Sequence, residues 1–206
     1  MLTEQEYAIV ADNGIAPNMY TVNFSLVNSK AYHDKFTGLS PHRAVNEALY
    51  KQATKMLEHR SGTEYEDIVM LDSRTGVLLM ANATASGANK FRAGLTYEQS
   101  VLLRELNRSF EILHNHPSST LPSMADIAGL FDRRLAVAST IVGHDGTVYR
   151  MTKLRQYPAI EIFLRSVREG VKVERPDWPT RILETNAVNV AITTLTNQHY
   201  LHYQRR

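Results

Sequence analysis

Residues 110–126 read FEILHNHPSSTLPSMAD, an apolar run that leads into two histidines and then into a polar segment. Residues 110–113 have the character of a buried strand. Side chains alternate along an extended chain, so His114 and His116 project to the same side and can reach one ion. Pro117 then prevents the ladder of hydrogen bonds from continuing. This pattern predicts a metal-binding pair at the end of a strand.

A third candidate ligand follows at close range. Ser123 opens a predicted helix, and Asp126 falls in its first turn, close enough to supply a carboxylate oxygen. Three protein ligands leave the fourth tetrahedral position for water, which is typical of a catalytic zinc site. Ser123 and Asp126 also have a purely structural interpretation as a helix cap. Because a cap does not require His-x-His-Pro just upstream, we expect one zinc ion held by His114, His116 and Asp126.

Composition narrows the chemistry further. The chain has 206 residues, of which 43% are hydrophobic, enough for one principal core. It has no cysteine, which excludes disulfides, thiolate metal sites and a cysteine nucleophile. The formal charge of +2 is far from the concentrated positive field of a dedicated nucleic-acid binder. With no signal-peptide pattern and no apolar run near the roughly 20 residues of a membrane span, we expect a cytoplasmic protein without a membrane partner.

Hydrophobic periodicity predicts an α/β (α+β) fold in which helices flank a central mixed sheet. The predicted strands cover residues 20–27, 67–72, 77–80, 110–113, 136–142 and 147–151. The predicted helices run from Ser40-Pro41 to Ser61-Gly62, from Tyr97 to Asn107 with an apolar stripe of Val101, Leu102 and Leu106, from Met124 to Leu135, and from Ala159 to Glu169. The second and third strands form a predicted hairpin through residues 73–76. Residues 81–94 are interpreted as a loop, and the β-branched stretch 188–195 has no assignment.

These elements suggest three parts along the chain. Residues 1–39 form an N-terminal extension, residues 40–152 form the metal-binding domain, and residues 153–206 form a C-terminal helical extension. The turn His144-Asp145-Gly146 is interpreted as a hairpin rather than a ligand site. His199 and His202 belong to a basic, aromatic tail that we interpret as a solvated C-terminus.

Hydrolysis by a metal-activated water also needs a carboxylate that takes and returns the proton. Glu64 and Glu66 both stand just before the strand that begins near Ile68, from which either side chain could lean over the metal. The Ser123 hydroxyl could donate a hydrogen bond to the developing oxyanion. The residues alone leave the choice between the two glutamates open.

The motif resembles the signature of the JAB/MPN (JAMM) metallopeptidases, a distant Glu followed by His-x-His-Pro and then Ser-x-x-Asp. The string His114-Asn115-His116-Pro117-Ser118 is similar to the bacterial RadC-type branch. In that branch a Glu begins a strand that ends in Leu-Asp, as in residues 64–72. This matching gives Glu64 the position of catalytic base, with Glu66 as the fallback. Residues 28–33 are also similar to JAB-type domains of phage and mobile-element proteins.

The resemblance covers residues 40–152 and implies an α/β sandwich, one zinc ion and hydrolysis of an amide or isopeptide bond. It therefore implies a peptide or protein substrate. The chain departs from the family in one respect, because residues 117–122 form a loop of six residues where the family usually has seven. We interpret this as a loop deletion that keeps every ligand but affects the placement of Ser123.

Two other functions compete with a zinc hydrolase. One is a non-catalytic binding module on the same fold. The other is a RadC-like protein associated with processing of DNA or mobile elements. Retention of every motif element favours the hydrolase over the module, and the near-neutral charge argues against a nucleic-acid partner. The substrate, the partners and a possible homodimer stay open.

Overall fold

The computed structural model describes residues 18–81 and 95–206. Their strands are β1 Ile68–Asp72, β2 Leu78–Ala81, β3 Phe110–His116, β4 Ala136–Gly143, β5 Val148–Lys153 and β6 Leu201–Arg205. They form one sheet in the order β2-β1-β3-β4-β5-β6. The β3–β4 pair is parallel and the other pairs are antiparallel, so the sheet is mixed.

Helices cover both faces of this sheet. They are α1 Phe24–Val27, α2 Lys30–Asp34, α3 Arg43–Arg60, α4 Tyr97–Glu105, α5 Met124–Asp132, α6 Ile160–Glu174 and α7 Thr180–Asn197. One face packs against α1–α3 around a core that includes Leu49 and Leu113. The opposite face packs against α4–α7 around Ile112, Ile127 and Leu195. The predicted α/β class, a central mixed sheet flanked by helices, is confirmed.

The predicted hairpin before the site is also confirmed. Strands β1 and β2 pair antiparallel, and the Asp72 carboxylate accepts hydrogen bonds from the backbone N–H groups of Arg74 and Thr75 in the turn. Gly76 has a φ of 71°. A Cβ atom there would lie 2.6 Å from the Ala44 carbonyl oxygen, so this position requires glycine for both conformation and space.

Strand β3 occupies the middle of the sheet, between β1 and β4. All seven of its residues are buried. Helix α5 connects β3 to the parallel strand β4, so its first turn follows the carboxyl end of β3. Ligand sites in open α/β sheets form beyond the carboxyl ends of parallel strands, and the His-x-His-Pro sequence lies at that edge.

The strand predicted at residues 20–27 is wrong. This segment contains α1, which Asn23 caps by accepting a hydrogen bond from the Leu26 N–H, and Ser29 caps α2 in the same way. The side chains of Phe24 and Val27 are buried, a helical spacing of three. Local capping by Asn and Ser therefore outweighs the alternating pattern.

The helix predicted from Ser40-Pro41 begins later, because Ser40 is held by hydrogen bonds with the Asn46 side chain and His42 precedes α3. Its predicted end at Ser61 is confirmed. Helix α4 starts at the predicted position, but its buried side chain is Leu103, whereas Leu102 of the predicted stripe is exposed. Helices α4 and α5 end two and three residues earlier than predicted, and α6 extends to Glu174.

The C-terminal tail is part of the sheet and not a solvated end. Strand β6 pairs antiparallel with β5, which places His202 opposite Thr152. Arg206 then donates hydrogen bonds to the carbonyl oxygens of Lys35 and Thr37. The unassigned stretch 188–195 lies in α7.

Residues 82–94 of the predicted loop lie outside the described residues, as do residues 1–17 of the N-terminal extension. No helix within the two described ranges has the length and apolar character needed to cross a membrane.

Candidate metal centre

Strand β3 brings the two histidines together as alternation predicts. His114 and His116 are both buried, and their Nε2 atoms lie 3.2 Å apart. At this distance the two nitrogens cannot both carry a hydrogen. They can share one proton, or they can bind one metal ion. The pair therefore presents two nitrogen ligands to a single point in space.

Helix α5 supplies the carboxylate. Asp126 Oδ1 lies 3.1 Å from His114 Nε2, and its Oδ2 lies 3.4 Å from His116 Nε2. The 3.2 Å between the two Nε2 atoms is close to the separation of about 3.3–3.4 Å between ligand atoms at the corners of a zinc tetrahedron with bonds of about 2.0–2.1 Å. The ligand atoms of the three residues all lie within 4.8 Å of one another. The predicted ligands thus form a group that could hold one metal ion.

The electrostatics of the three residues are coupled. Burial by itself raises the pKa of Asp126, but the charges and hydrogen bonds of His114 and His116 outweigh it and hold that pKa well below its usual range. Burial lowers the pKa of His116, whereas the Asp126 carboxylate and the charge of Glu66 raise it, and the net shift is upward. These shifts favour a carboxylate on Asp126 and a proton on His116, so a metal ion would compete with a proton for this group.

The loop after β3 sets the tautomer of His116. Its Nδ1 lies 3.1 Å from the Thr120 carbonyl oxygen, which can only accept, so Nδ1 carries a hydrogen and Nε2 is the nitrogen that is available to a metal ion when the ring is neutral. The six-residue loop is therefore long enough to orient the ligand. His114 Nδ1 is buried and has no hydrogen-bond partner among the described residues.

Ser123 contacts the carboxylate ligand directly. Its backbone N–H and its hydroxyl both donate to Asp126 Oδ2, at 2.6 and 2.7 Å. Its Oγ accepts a hydrogen bond from the Asp126 N–H, which completes a capping box at the start of α5. Oδ2 is thus held by two donors, and Oδ1 is directed at His114. In this structure Ser123 acts as a helix cap and orients the third ligand.

The two candidate bases are placed differently. Glu66 lines the cavity that contains the ligand group, and its charge acts on His116. This follows from the β1–β3 register, because Ile68 pairs with His114 and Glu66 lies two residues before Ile68 on the same face. Glu64 is half-buried and is not among the described residues that line this cavity.

Asn115, the residue between the two histidines, was not singled out from the sequence. It points to the opposite face of β3, where its side chain is fully buried. Its Oδ1 accepts from the Asp67 N–H at 2.7 Å, and its Nδ2 contacts the Tyr65 carbonyl and His144 Nε2. Alternation within His-x-His was the signal that could have found it.

His144 belongs to this polar network and not to the metal group. It lies in the β4–β5 hairpin turn, as interpreted from the sequence, and its Nδ1 donates to the Tyr20 carbonyl oxygen. Burial lowers the pKa of His144, which keeps the ring neutral. Its Nε2 can then accept the hydrogen bond from Asn115.

The ligand group opens into a large cavity of about 1030 Å³. This cavity extends from His114 and His116 between α4 and α5, over β1 and β3, and reaches the loop before β4. This volume is large enough to accommodate a peptide segment.

Comparisons of the chain with protein-family models, with curated proteins and with solved structures found no match. The resemblance to the JAMM metallopeptidases therefore rests on the motif residues alone.

Proposed function

We propose that this chain is a zinc-dependent hydrolase of amide or isopeptide bonds in peptides or proteins, related to the JAMM metallopeptidases. The observation that carries the proposal is the convergence of His114, His116 and Asp126 at separations of 3.1–3.4 Å. The two Asp126 distances are to different oxygens, Oδ1 for His114 and Oδ2 for His116, and one ligand atom from each residue lies within 4.8 Å of the others, close enough for all three residues to face one ion.

The donor set supports zinc over calcium and magnesium. Two imidazole nitrogens and one carboxylate oxygen suit zinc, whereas calcium and magnesium prefer oxygen ligands alone. Three protein ligands are the number found at catalytic zinc sites, where a fourth position is left for water or substrate. A zinc ion held by His114, His116 and Asp126 would act as a Lewis acid and would lower the pKa of a bound water to about 7.

The side chains around the group have separate tasks. Glu66 takes the proton of the attacking water and returns it to the leaving amine as the C–N bond breaks. Ser123 holds Asp126 Oδ2, and the Thr120 carbonyl holds His116 Nδ1. We also predict a second role for Ser123. In the transition state its hydroxyl would reorient and donate a hydrogen bond to the oxyanion.

The test combines metal content with peptide hydrolysis. Purified protein should contain about one zinc per chain, and His116→Ala should lose it. His202→Ala is the matched control, because His202 is an exposed histidine on β6. Peptide libraries and isopeptide-linked substrates should be cleaved by the zinc-loaded chain and not after chelation. Absence of any bound transition metal refutes the site, and full zinc occupancy without cleavage of any substrate favours the binding module.

A further inference from the structure

The two ends of the cavity beside the ligand group carry side chains of different charge. At one end are Glu66 and the three proposed ligands. At the other end, next to the start of β3, are Arg104, Arg133 and Arg134, accompanied by one acidic residue, Asp132. The far end therefore carries a net positive charge that the proposed chemistry does not use.

The two ends are separated by the length of β3. Arg133 and Arg134 lie just before β4, whose first residue, Ala136, pairs with Phe110. From Phe110 to His116 the strand advances about 20 Å at roughly 3.3 Å per residue. An extended peptide of about six residues would span this distance.

Apolar and small side chains line the path between the ends. The floor is formed by Ile68 of β1 and by Phe110 and Ile112 of β3. On the α5 side the lining residues are Ala125, Ala128 and Gly129, which share one face of that helix. Ala125 and Ala128 thus present only methyl groups to the cavity, and the Arg133 guanidinium lies over Gly129.

The cationic end is attached to rigid structure. Lys153 of β5 donates to the carbonyl oxygens of Leu130 and Arg133 at 3.1 and 2.8 Å, which fixes the backbone after α5. The Arg133 guanidinium donates to the Gly129 carbonyl oxygen at 2.7 Å. Arg104 of α4 and Arg134 of the loop before β4 are both exposed, and both line the cavity.

We propose that this cavity binds an extended, acidic peptide segment, whose scissile amide lies at the metal end and whose carboxylate lies about six residues away between Arg104 and Arg134. This inference rests on the proposed function, since it names the substrate of the same site. The apolar floor fits side chains of a peptide. A single-stranded nucleic acid would require more cations along the path and aromatic stacking partners, whereas Phe110 is the one aromatic residue of the described lining.

To test the proposed acidic-peptide site, peptide binding is measured separately from peptide cleavage. The probes are two fluorescent eight-residue peptides with the same apolar segment, one ending in two glutamates and the other in two lysines. Fluorescence anisotropy is recorded on the full chain carrying Glu66→Gln, with mass spectrometry confirming that the peptide stays intact. The acidic peptide should bind at least about fivefold more tightly than the lysine peptide, the size expected for partly exposed ion pairs.

Charge reversal identifies the responsible end of the cavity. Arg134→Glu and Arg104→Glu should each weaken the acidic peptide about five- to tenfold, and the double variant should prefer the lysine peptide. Arg165→Glu on α6 makes the same charge change at an exposed position outside the cavity and should leave binding unchanged. Equal binding of the acidic and the lysine peptide would overturn the inference. Binding of the acidic peptide that changes in neither Arg134→Glu nor Arg104→Glu would overturn it as well.

Two further outcomes separate this inference from the proposed function. Cleavage of both peptides at equal rates by the zinc-loaded wild-type chain would overturn the acidic preference and support the hydrolase. Arginine-dependent binding without any cleavage would support the acidic groove and count against the hydrolase. Tighter, arginine-dependent binding of a single-stranded oligonucleotide of similar length would overturn the peptide assignment.

Discussion

The Asn115 side chain joins the histidine strand to the backbone of Asp67, whose N–H donates to Asn115 Oδ1 at 2.7 Å. The residue between the two metal ligands thus fixes the segment that carries Glu66. That segment has a second anchor, because the buried Asp67 carboxylate pairs with His59 and Arg60 of α3. The position of the proposed base therefore depends on the face of the sheet away from the metal group.

Asn115→Ala should lower both stability and turnover. The change leaves the Asp67 N–H and the Tyr65 carbonyl without their partner, and each buried unsatisfied group costs about 1–3 kcal/mol. We expect the free energy of unfolding in urea to fall by about 2–4 kcal/mol and kcat to fall further than metal affinity. Asn46→Ala, which removes two hydrogen bonds with Ser40, is the control and should leave kcat unchanged. An unchanged kcat in Asn115→Ala would show that the hydrogen bonds of Asn115 do not affect the proposed base, Glu66.

Glu66→Gln should retain zinc while hydrolysis falls roughly 10²–10⁴-fold, the usual contribution of general acid–base catalysis. Glu64→Gln is the matched control. Because Glu66 and not Glu64 lines the cavity, we expect the control to keep most of its activity. Elemental analysis and peptide hydrolysis are measured on the same preparations. The reverse pattern would return the role to Glu64, and loss of zinc in Glu66→Gln would make Glu66 a ligand.

Ser123→Ala separates capping, ligand orientation and oxyanion donation. Loss of the helix cap should cost about 1 kcal/mol of stability. Loss of the hydrogen bond to Asp126 Oδ2 should weaken zinc binding by roughly 10–100-fold, as for other groups that orient ligands. At saturating zinc, kcat reports the oxyanion role, where a lost donor costs about 2.7–4 kcal/mol. Wild-type kcat under those conditions would show that Ser123 only caps the helix and orients Asp126.

His144 should make stability depend on pH. Because burial lowers its pKa in the folded chain, the unfolded chain binds the proton more readily near the ordinary value of about 6.5. The stabilisation is full above that value and is lost as pH falls below it, at no more than about 1.4 kcal/mol per pH unit for one proton. Urea unfolding at about pH 7.5 and about pH 5.5 should show a smaller loss in His144→Gln than in wild type.

Both proteins in that comparison contain His116, whose raised pKa contributes the opposite slope. The difference between them therefore isolates His144. Identical pH dependence in the two proteins would mean that His144 is not the group responsible.

Much of the site could be predicted from the sequence, because its geometry follows from local rules. Alternation along β3 places His114 and His116 on one side, and the capping pattern places Asp126 in the first turn of α5. The choice between Glu64 and Glu66 could not be made in this way. It depends on the β1–β3 register, which joins residues that are distant along the chain.

The C-terminal part of the chain was harder to interpret, because its composition and its hydrophobic periodicity disagree. Residues 188–195 are rich in β-branched side chains, yet Val188, Ala191, Ile192 and Leu195 are buried with helical spacing in α7. Packing of these side chains against the sheet face outweighs the slightly low helix propensity of β-branched residues. Strand β6 has only five residues, and its partner β5 precedes it by two helices, so no local signal indicated the pairing.

This late pairing has a consequence during synthesis on the ribosome. Strand β5 emerges before α6 and α7, and its outer edge stays unpaired until β6 follows. An open edge is a template for pairing with another chain, so nascent or truncated molecules that lack residues 201–206 should self-associate through β5. Pairing of β6 with β5 therefore protects the newly made protein from aggregation.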